Sequence, residues 1–460
     1  MRLPFLDRSE EMARLRALFA RRGRGVGILY GRRRCGKSRL LLEALPDRRA
    51  IYYVADDRES ALQRAALATE IARLLPGFDR VVYPDWDALL TRVWEQTSPG
   101  TVLAIDELPT LVAVAPEVPS LLQKRVDSPR AGGPHLALAG SSQRMMQGLI
   151  LDRNAPLYGR AAEVLKVEPL PCGWIRKAMG IKGDREAIEA YAVWGGIPRY
   201  WELAADFPDQ DTAIQTLILS PLGVLHDEPS RLLLDDLRDL TQASSILTLI
   251  GQGCHRSSEI AGRLGKPATS LSRPLDRLLE LGLVRRDTPF GASPRDSKRS
   301  LYRIADPFLR FWFRFVEPNR SRLEGRQVSA VAREIRARFA PHVAGVWEDL
   351  VRSSVTRLRH FNRTWAEARP WWGPGKDRAP LEIHVVAEST DRAALLIGEI
   401  KWTTTRDFDR LTATLQRKAE NLPFAGGRQV FLGIWTPDGP GRTVRGTGHF
   451  GPPNVLKALQ

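Results

Sequence analysis

The sequence predicts an α/β protein built on a parallel sheet, and three observations carry that prediction. The stretch Gly31-Arg32-Arg33-Arg34-Cys35-Gly36-Lys37-Ser38 satisfies the phosphate-loop pattern G-x-x-x-x-G-K-[ST] at every fixed position. It lies between an apolar run, Val26 to Tyr30, that reads as a buried strand, and Arg39 to Leu45, which reads as the start of a helix. Farther on, strand-like and helix-like segments alternate, and the strand from Thr101 to Ile105 ends in the carboxylate pair Asp106-Glu107.

Each element has a local reason. Met12 to Phe19 carries apolar residues at helical spacing until Gly23, and the turn before it holds Arg8 and Glu11. In the loop, glycines let the backbone close around phosphate oxygens and the following helix start adds a favourable dipole. Gly31 to Ser38, with Arg39, therefore form the expected ATP cradle, in which Lys37 reaches the β/γ-phosphates and Ser38 ligates Mg²⁺. Ala50 to Val54 reads as a strand, and Leu62 to Leu75 and Trp86 to Trp94 read as helices. Strand C-termini of such a sheet face the phosphate-loop crevice, so Asp106 is expected to hold Mg²⁺ through water and Glu107 to orient or deprotonate the attacking water. His135 to Ala139 is a further strand running into Gly140-Ser141-Ser142, and Ala162 to Val167 is a strand candidate that closes the sheet.

Composition sets the class. A length of 460 residues allows about three domains, and 43% hydrophobic with 27% charged residues reads as globular. No apolar run is long enough for a membrane span and the N-terminus lacks a signal-peptide core, so the expected location is the cytoplasm. Cys35, Cys172 and Cys254 are too few and too scattered for a disulfide framework or a cysteine-built zinc site. A formal net charge of +16 attracts polyanions such as nucleic acid, although the same arginines also suit solvated helix faces.

The second half reads as helices and then as two smaller mixed units. Asp184 to Val193 is a helix that stops at Trp194-Gly195-Gly196-Ile197-Pro198. Ser244–Ile250, Arg256–Leu264 and Ala268–Leu281 follow as three helices, the last carrying Ser270, Ser272, Arg273 and Arg277. Leu283–Arg286 and Ser300–Ile304 pair as strands around a tip with Arg295, Lys298 and Arg299, which makes a winged helix-turn-helix. Basic residues on the third helix and the wing suit double-stranded DNA, and the same module also serves as a protein contact. Asp306 to Val316 is dense in aromatics and reads as a buried connector. Val343 to Arg357 is a helix, and Leu381–Ala387 and Ala394–Trp402 are strands.

The order of phosphate loop, Asp-Glu strand, Leu157-Tyr158-Gly159-Arg160 and Gly195-Gly196-Ile197-Pro198 resembles the archaeal-type ATPase family, STAND-like members of the AAA+ clade. The resemblance implies an AAA+-type P-loop core at 1–170, a helical lid at 171–230, a winged helix at 231–305, an aromatic connector at 306–335 and a C-terminal α/β domain at 336–460 of restriction-endonuclease-like fold. It places the Arg8 segment and Pro198 against adenine and makes Ser141, with Ser142 close behind, the sensor of the γ-phosphate, an N-cap being the other reading. Arg160 takes the place of an arginine finger, acting in cis or from a neighbouring subunit of an oligomer. In the C-terminal domain Glu399 and Lys401 match the Glu-x-Lys half of a nuclease motif, but His384 stands where relatives carry the metal-binding Asp. Glu382 and Glu348 are the substitutes at hand, and a degenerate domain is the expectation. The implied function is Mg²⁺-dependent ATP hydrolysis used as a conformational switch, acting on or near DNA. The rivals are a metal-dependent nuclease regulated by ATP and a DNA-binding regulator that binds nucleotide without turnover.

Overall fold

The computed structural model describes residues 3–128, 132–150, 152–153, 155–237, 239–293, 299–358, 361–404, 407–439, 442–444 and 446–460. The chain forms two compact units, one of Asp7–Pro169 with Leu234–Asp236, the other of Met1–Leu6, Leu170–Leu233 and Leu237–Gln460.

The first unit holds a five-stranded sheet of β1 (Val26–Tyr30), β2 (Ala50–Val54), β3 (Val102–Asp106), β4 (His135–Gly140) and β5 (Glu163–Lys166), ordered β2-β3-β4-β1-β5. Every pairing is parallel. Burial follows this order: β3 and β4 are buried along their whole length, whereas β2 at the edge alternates between buried and accessible residues. Helices α1 (Ser9–Phe19), α2 (Lys37–Ala44), α3 (Ser60–Ala72), α4 (Trp86–Gln96), α5 (Leu108–Val114), α6 (Val118–Val126) and α7 (Gln143–Ile150) belong to the same unit. One core cluster joins Ile28, Ile51, Ile105 and Leu138 of the strands to Leu67 and Ile71 of α3 and Leu89 and Val93 of α4. Strand-helix alternation in the sequence thus gives the α/β sheet it predicted.

In the second unit the helix Asp184–Trp194 ends at Gly195, whose φ of 59° and ψ of −152° form a backbone conformation that favours glycine. Helices Leu240–Gly251, Ser257–Leu264 and Ser272–Glu280 precede an antiparallel ribbon of β6 (Val284–Asp287) and β7 (Leu301–Ile304). The third helix is shorter than the expected Ala268–Leu281, because Ala268–Leu271 forms a tighter 3₁₀ turn. Arg295 and Lys298 lie outside the described residues. Phe308, Phe311 and Phe313 are fully buried in the aromatic segment.

The expected helix beginning at Val343 is instead the second half of one helix, Val328–Ser354, that runs through Pro341. A proline inside a helix removes one backbone bond at a cost of about 3 kcal/mol. Burial of Val331, Ile335, Val343, Val346, Trp347 and Val351 on both sides of it offsets that loss. The C-terminal sheet has six strands, adding β8 (Arg369–Pro374), β9 (Pro380–Glu388), β10 (Ala394–Ile400), β11 (Gln429–Trp435), β12 (Arg442–Val444) and β13 (Thr447–Phe450) in the order β12-β13-β11-β10-β9-β8. The helix Phe408–Glu420 packs Leu415 and Ala419 against Ile383, Leu395, Ile397 and Ile434 of this sheet.

Candidate nucleotide site

The phosphate loop leaves the end of β1. Gly31 has a φ of 148°, and a Cβ there would stand 2.4 Å from the Val167 carbonyl oxygen, so the residue must be glycine. Gly36 has a φ of 92° at the N-terminus of α2, and no atom lies within 4 Å of where its Cβ would be. Arg34 also takes a positive φ of 67°. Lys37 is 5% exposed, and its Nζ donates to the Gly31 and Arg32 carbonyls at 2.8 and 3.1 Å. Cys35 is buried, Arg33 and Ser38 are exposed, and Arg39 runs along α2 toward Glu43 at 3.9 Å. Arg8, buried at the start of α1, donates to the Cys35 and Glu168 carbonyls and pairs with Glu11 at 3.1 Å. It therefore braces the loop from the protein side.

β3 brings the carboxylates to the same end of the sheet. Asp106 is 1% exposed; its Oδ1 accepts the Glu107 N–H at 2.9 Å and its Oδ2 accepts the Tyr52 hydroxyl at 2.8 Å. Register explains the second contact, since Val54 is level with Asp106 and Tyr52 sits two residues earlier on the adjacent strand. Burial and the Asp106 charge push the Tyr52 phenol far above its usual pKa, with Ser38 near enough to oppose the shift, so Tyr52 remains a neutral donor. Nothing in the sequence pattern singled out Tyr52; its β2 position gave the one available signal. Glu107 takes a left-handed φ of 53°, and its Oε2 accepts from the Ser141 N–H at 3.1 Å and the Ser141 hydroxyl at 2.8 Å. Ser142, the other serine, faces α7: its hydroxyl accepts the Met145 N–H at 3.4 Å, as an N-cap does.

Within its own unit, one expected residue is engaged elsewhere. Arg160 forms a forked pair with Asp127, its Nη2 2.7 Å from the carboxylate. Pro198 belongs to the other unit, where it opens the helix Pro198–Ala204.

In the C-terminal sheet Glu399 is 6% exposed and clamped between Lys401 at 2.8 Å and Lys418 at 2.9 Å. His384 Nδ1 accepts the Ile400 N–H at 3.1 Å and lies 3.8 Å from Glu399. Burial raises the Glu399 carboxyl, but His384 and the two lysines outweigh it and hold it below its ordinary value. Lys418 comes from the helix Phe408–Glu420, which the sequence reading did not single out. Glu382 is exposed, Glu348 lies 3.6 Å from Arg352, and among the described residues no group of three or more His, Cys, Asp or Glu is arranged to hold a metal.

A parallel sheet with a phosphate loop after β1 and an acidic pair ending β3 defines the class, a P-loop ATPase of Walker type. Residues 5–203 match the family described as an ATPase domain predominantly from Archaea, and residues 312–413 match archaeal and bacterial proteins of unknown function. The chain thus carries a segment similar to that ATPase domain, followed by a segment similar to the second family. An uncharacterized protein of Methanocaldococcus jannaschii is 29% identical over 426 residues, covering 90% of this chain and 92% of its own. In fold, the chain is similar to the Walker-type ATPase of Pyrococcus abyssi, at 20% identity and a TM-score of 0.50, over 67% of this chain and 96% of that one. The ORC2 protein of Aeropyrum pernix aligns at 15% identity and a TM-score of 0.49, over 73% and 97%. Among the described residues no helix is long and apolar enough to cross a membrane.

Proposed function

We propose that the chain hydrolyses ATP with Mg²⁺ and uses the cycle as a conformational switch. One observation carries the reading: Lys37, the Asp106-Glu107 pair and Ser141 stand at the C-terminal ends of three neighbouring strands, where α/β sheets bind ligands. The residues fit the implied groups. Beside Gly36 there is open space for a phosphate, and Ser38 and Asp106 offer the hard oxygens that Mg²⁺ prefers. Bound Mg²⁺ would neutralise charge on the β- and γ-phosphates. Lys37 would exchange its two loop carbonyls for phosphate oxygens, and Tyr52 would keep Asp106 aimed. Glu107 would take the proton of the attacking water once Ser141 releases it, so Ser141 acts as the latch of the switch. Arg160 would serve as a finger only after leaving Asp127.

The three helices with the β6-β7 ribbon act in this reading as a winged helix meeting duplex DNA, with exposed Arg273 on its third helix. Arg299 is a poorer candidate, since it donates to the Trp372 carbonyl. The C-terminal sheet serves as a nuclease-like domain without cleavage, because the lysine clamp occupies Glu399. The test is phosphate release from ATP, with and without duplex DNA over a salt series. Mg²⁺-dependent release lost in Lys37→Ala, with DNA affinity falling steeply as salt rises, supports the reading. ATP binding without release would favour the regulator that does not turn over.

A further inference from the structure

Within the second unit, a cavity of 330 Å³ lies between the end of the helix Leu240–Gly251, strand β7, the aromatic segment and the helix Val328–Ser354. Its charged and titratable lining consists of Arg303, Arg310, Arg314, His255 and His342, and among the described lining residues there is no carboxylate. Two of the arginines have their charges met from behind the wall: Arg303 lies 3.2 Å from Asp287, and Arg310 lies 2.6 Å from Asp349. Arg314 is different. Its one described partner is the Phe315 ring, 5.3 Å away, and the charges that act on it are those of Arg310 and Arg338. Burial and those two cations push its pKa down.

A cation held among cations costs free energy unless an anion joins it. His342 is fully buried, its Nε2 bonds to the Ala192 carbonyl at 2.8 Å, and the ring stands in the wall without offering an accessible polar atom. A guanidinium with no described anionic partner, beside two more arginines, suits a ligand that carries anionic oxygens. A phosphate group is the simplest such ligand, and its oxygens match the arginine fork. The cavity volume is at the low end for small-molecule sites, which favours a compact ligand.

We propose that this cavity is a binding site for a phosphate group, built in a different unit from the phosphate loop and anchored by Arg314. The group could come from a small free compound or from a nucleic-acid backbone, and the experiment separates the two. Full-length Lys37→Ala protein, whose phosphate loop is disabled, is titrated with inorganic phosphate and pyrophosphate while binding is followed by calorimetry and thermal shift. The site predicts saturable binding that Arg314→Gln weakens by about tenfold or more, the loss of one charge-assisted fork. Arg314→Lys keeps the charge without the fork and should lose less; it carries the test if Arg314→Gln does not fold. A short DNA duplex that displaces phosphate assigns the site to nucleic acid, and a duplex that leaves phosphate bound assigns it to a small compound. Absence of saturable phosphate binding, or equal binding by the parent and the folded Arg314 variant, overturns the proposal.

Discussion

Asp349→Asn should be among the most damaging single changes outside the nucleotide site. Asp349 sits on the helix Val328–Ser354 with a side chain 16% exposed, and it receives Arg285 of β6, Arg310 of the aromatic segment at 2.6 Å and Arg352 of its own helix at 2.7 Å. Burial raises its carboxyl, but the three guanidiniums outweigh burial and hold it far below the ordinary aspartate value. Asparagine keeps the shape and removes the charge. Arg285 still has Asp287 at 3.0 Å and Arg352 still has Glu348 at 3.6 Å, whereas Arg310 is left with the Ile304 carbonyl. Removing one partner of a buried pair costs about 3–5 kcal/mol, and the surviving partners argue for the lower end, about 3 kcal/mol. At roughly 2 °C per kcal/mol for a unit of this size, Tm should drop by about 6 °C. Thermal unfolding followed by circular dichroism at low and high salt measures it. A drop of less than about 1 °C, or a loss erased by high salt, would show that the cluster behaves as a solvated surface network and refute the reasoning.

The other expectations concern chemistry and pH. Tyr52→Phe removes the neutral donor to Asp106 and should lower kcat/KM about tenfold, through a higher Mg²⁺ requirement with ATP binding retained; an unchanged Mg²⁺ dependence would count against Tyr52 as a positioning residue. Burial holds His342 down to about 3 and also lowers His135, His255 and His449. For each of these the unfolded chain takes up protons that the folded one refuses, so stability is complete above about pH 6.5 and should fall as pH drops below it. Asp349 and Glu399, with lowered folded values, add a second loss only below about pH 4, and a Tm flat from pH 7 to 5 would contradict this order. The natural protein should not nick DNA with Mg²⁺, while His384→Asp should introduce or raise nicking; robust cleavage by the natural protein, abolished by Lys401→Ala, would promote the nuclease reading.

What could be read in the sequence was what local chemistry demands. Gly31, Gly36 and Lys37 are spaced by the geometry of a phosphate cradle, so strand, loop and helix were legible together. Contacts between strands were not. Tyr52 meets Asp106 only through the register of β2 on β3, and Ser141 reaches Glu107 only because β4 lies beside β3. The helix expected from Val343 begins at Val328 instead, since packing on both sides of Pro341 overrides the local stop a proline sets. Strand β8, which the sequence reading did not single out, contains Pro370 and Pro374 and lies at the sheet edge, where proline is tolerated. The Asp349 cluster draws on three segments far apart in sequence, and no spacing announces it.

The account stands on Glu107 as the base for ATP hydrolysis, and single-turnover phosphate release by Glu107→Gln tests it directly. Glutamine keeps an oxygen that Ser141 can bond and loses the ability to take a proton. ATP should bind as in the parent while phosphate release slows by about a hundredfold or more, the usual contribution of a positioned base. Release at the parental rate would contradict the assignment and, with it, the proposed switch.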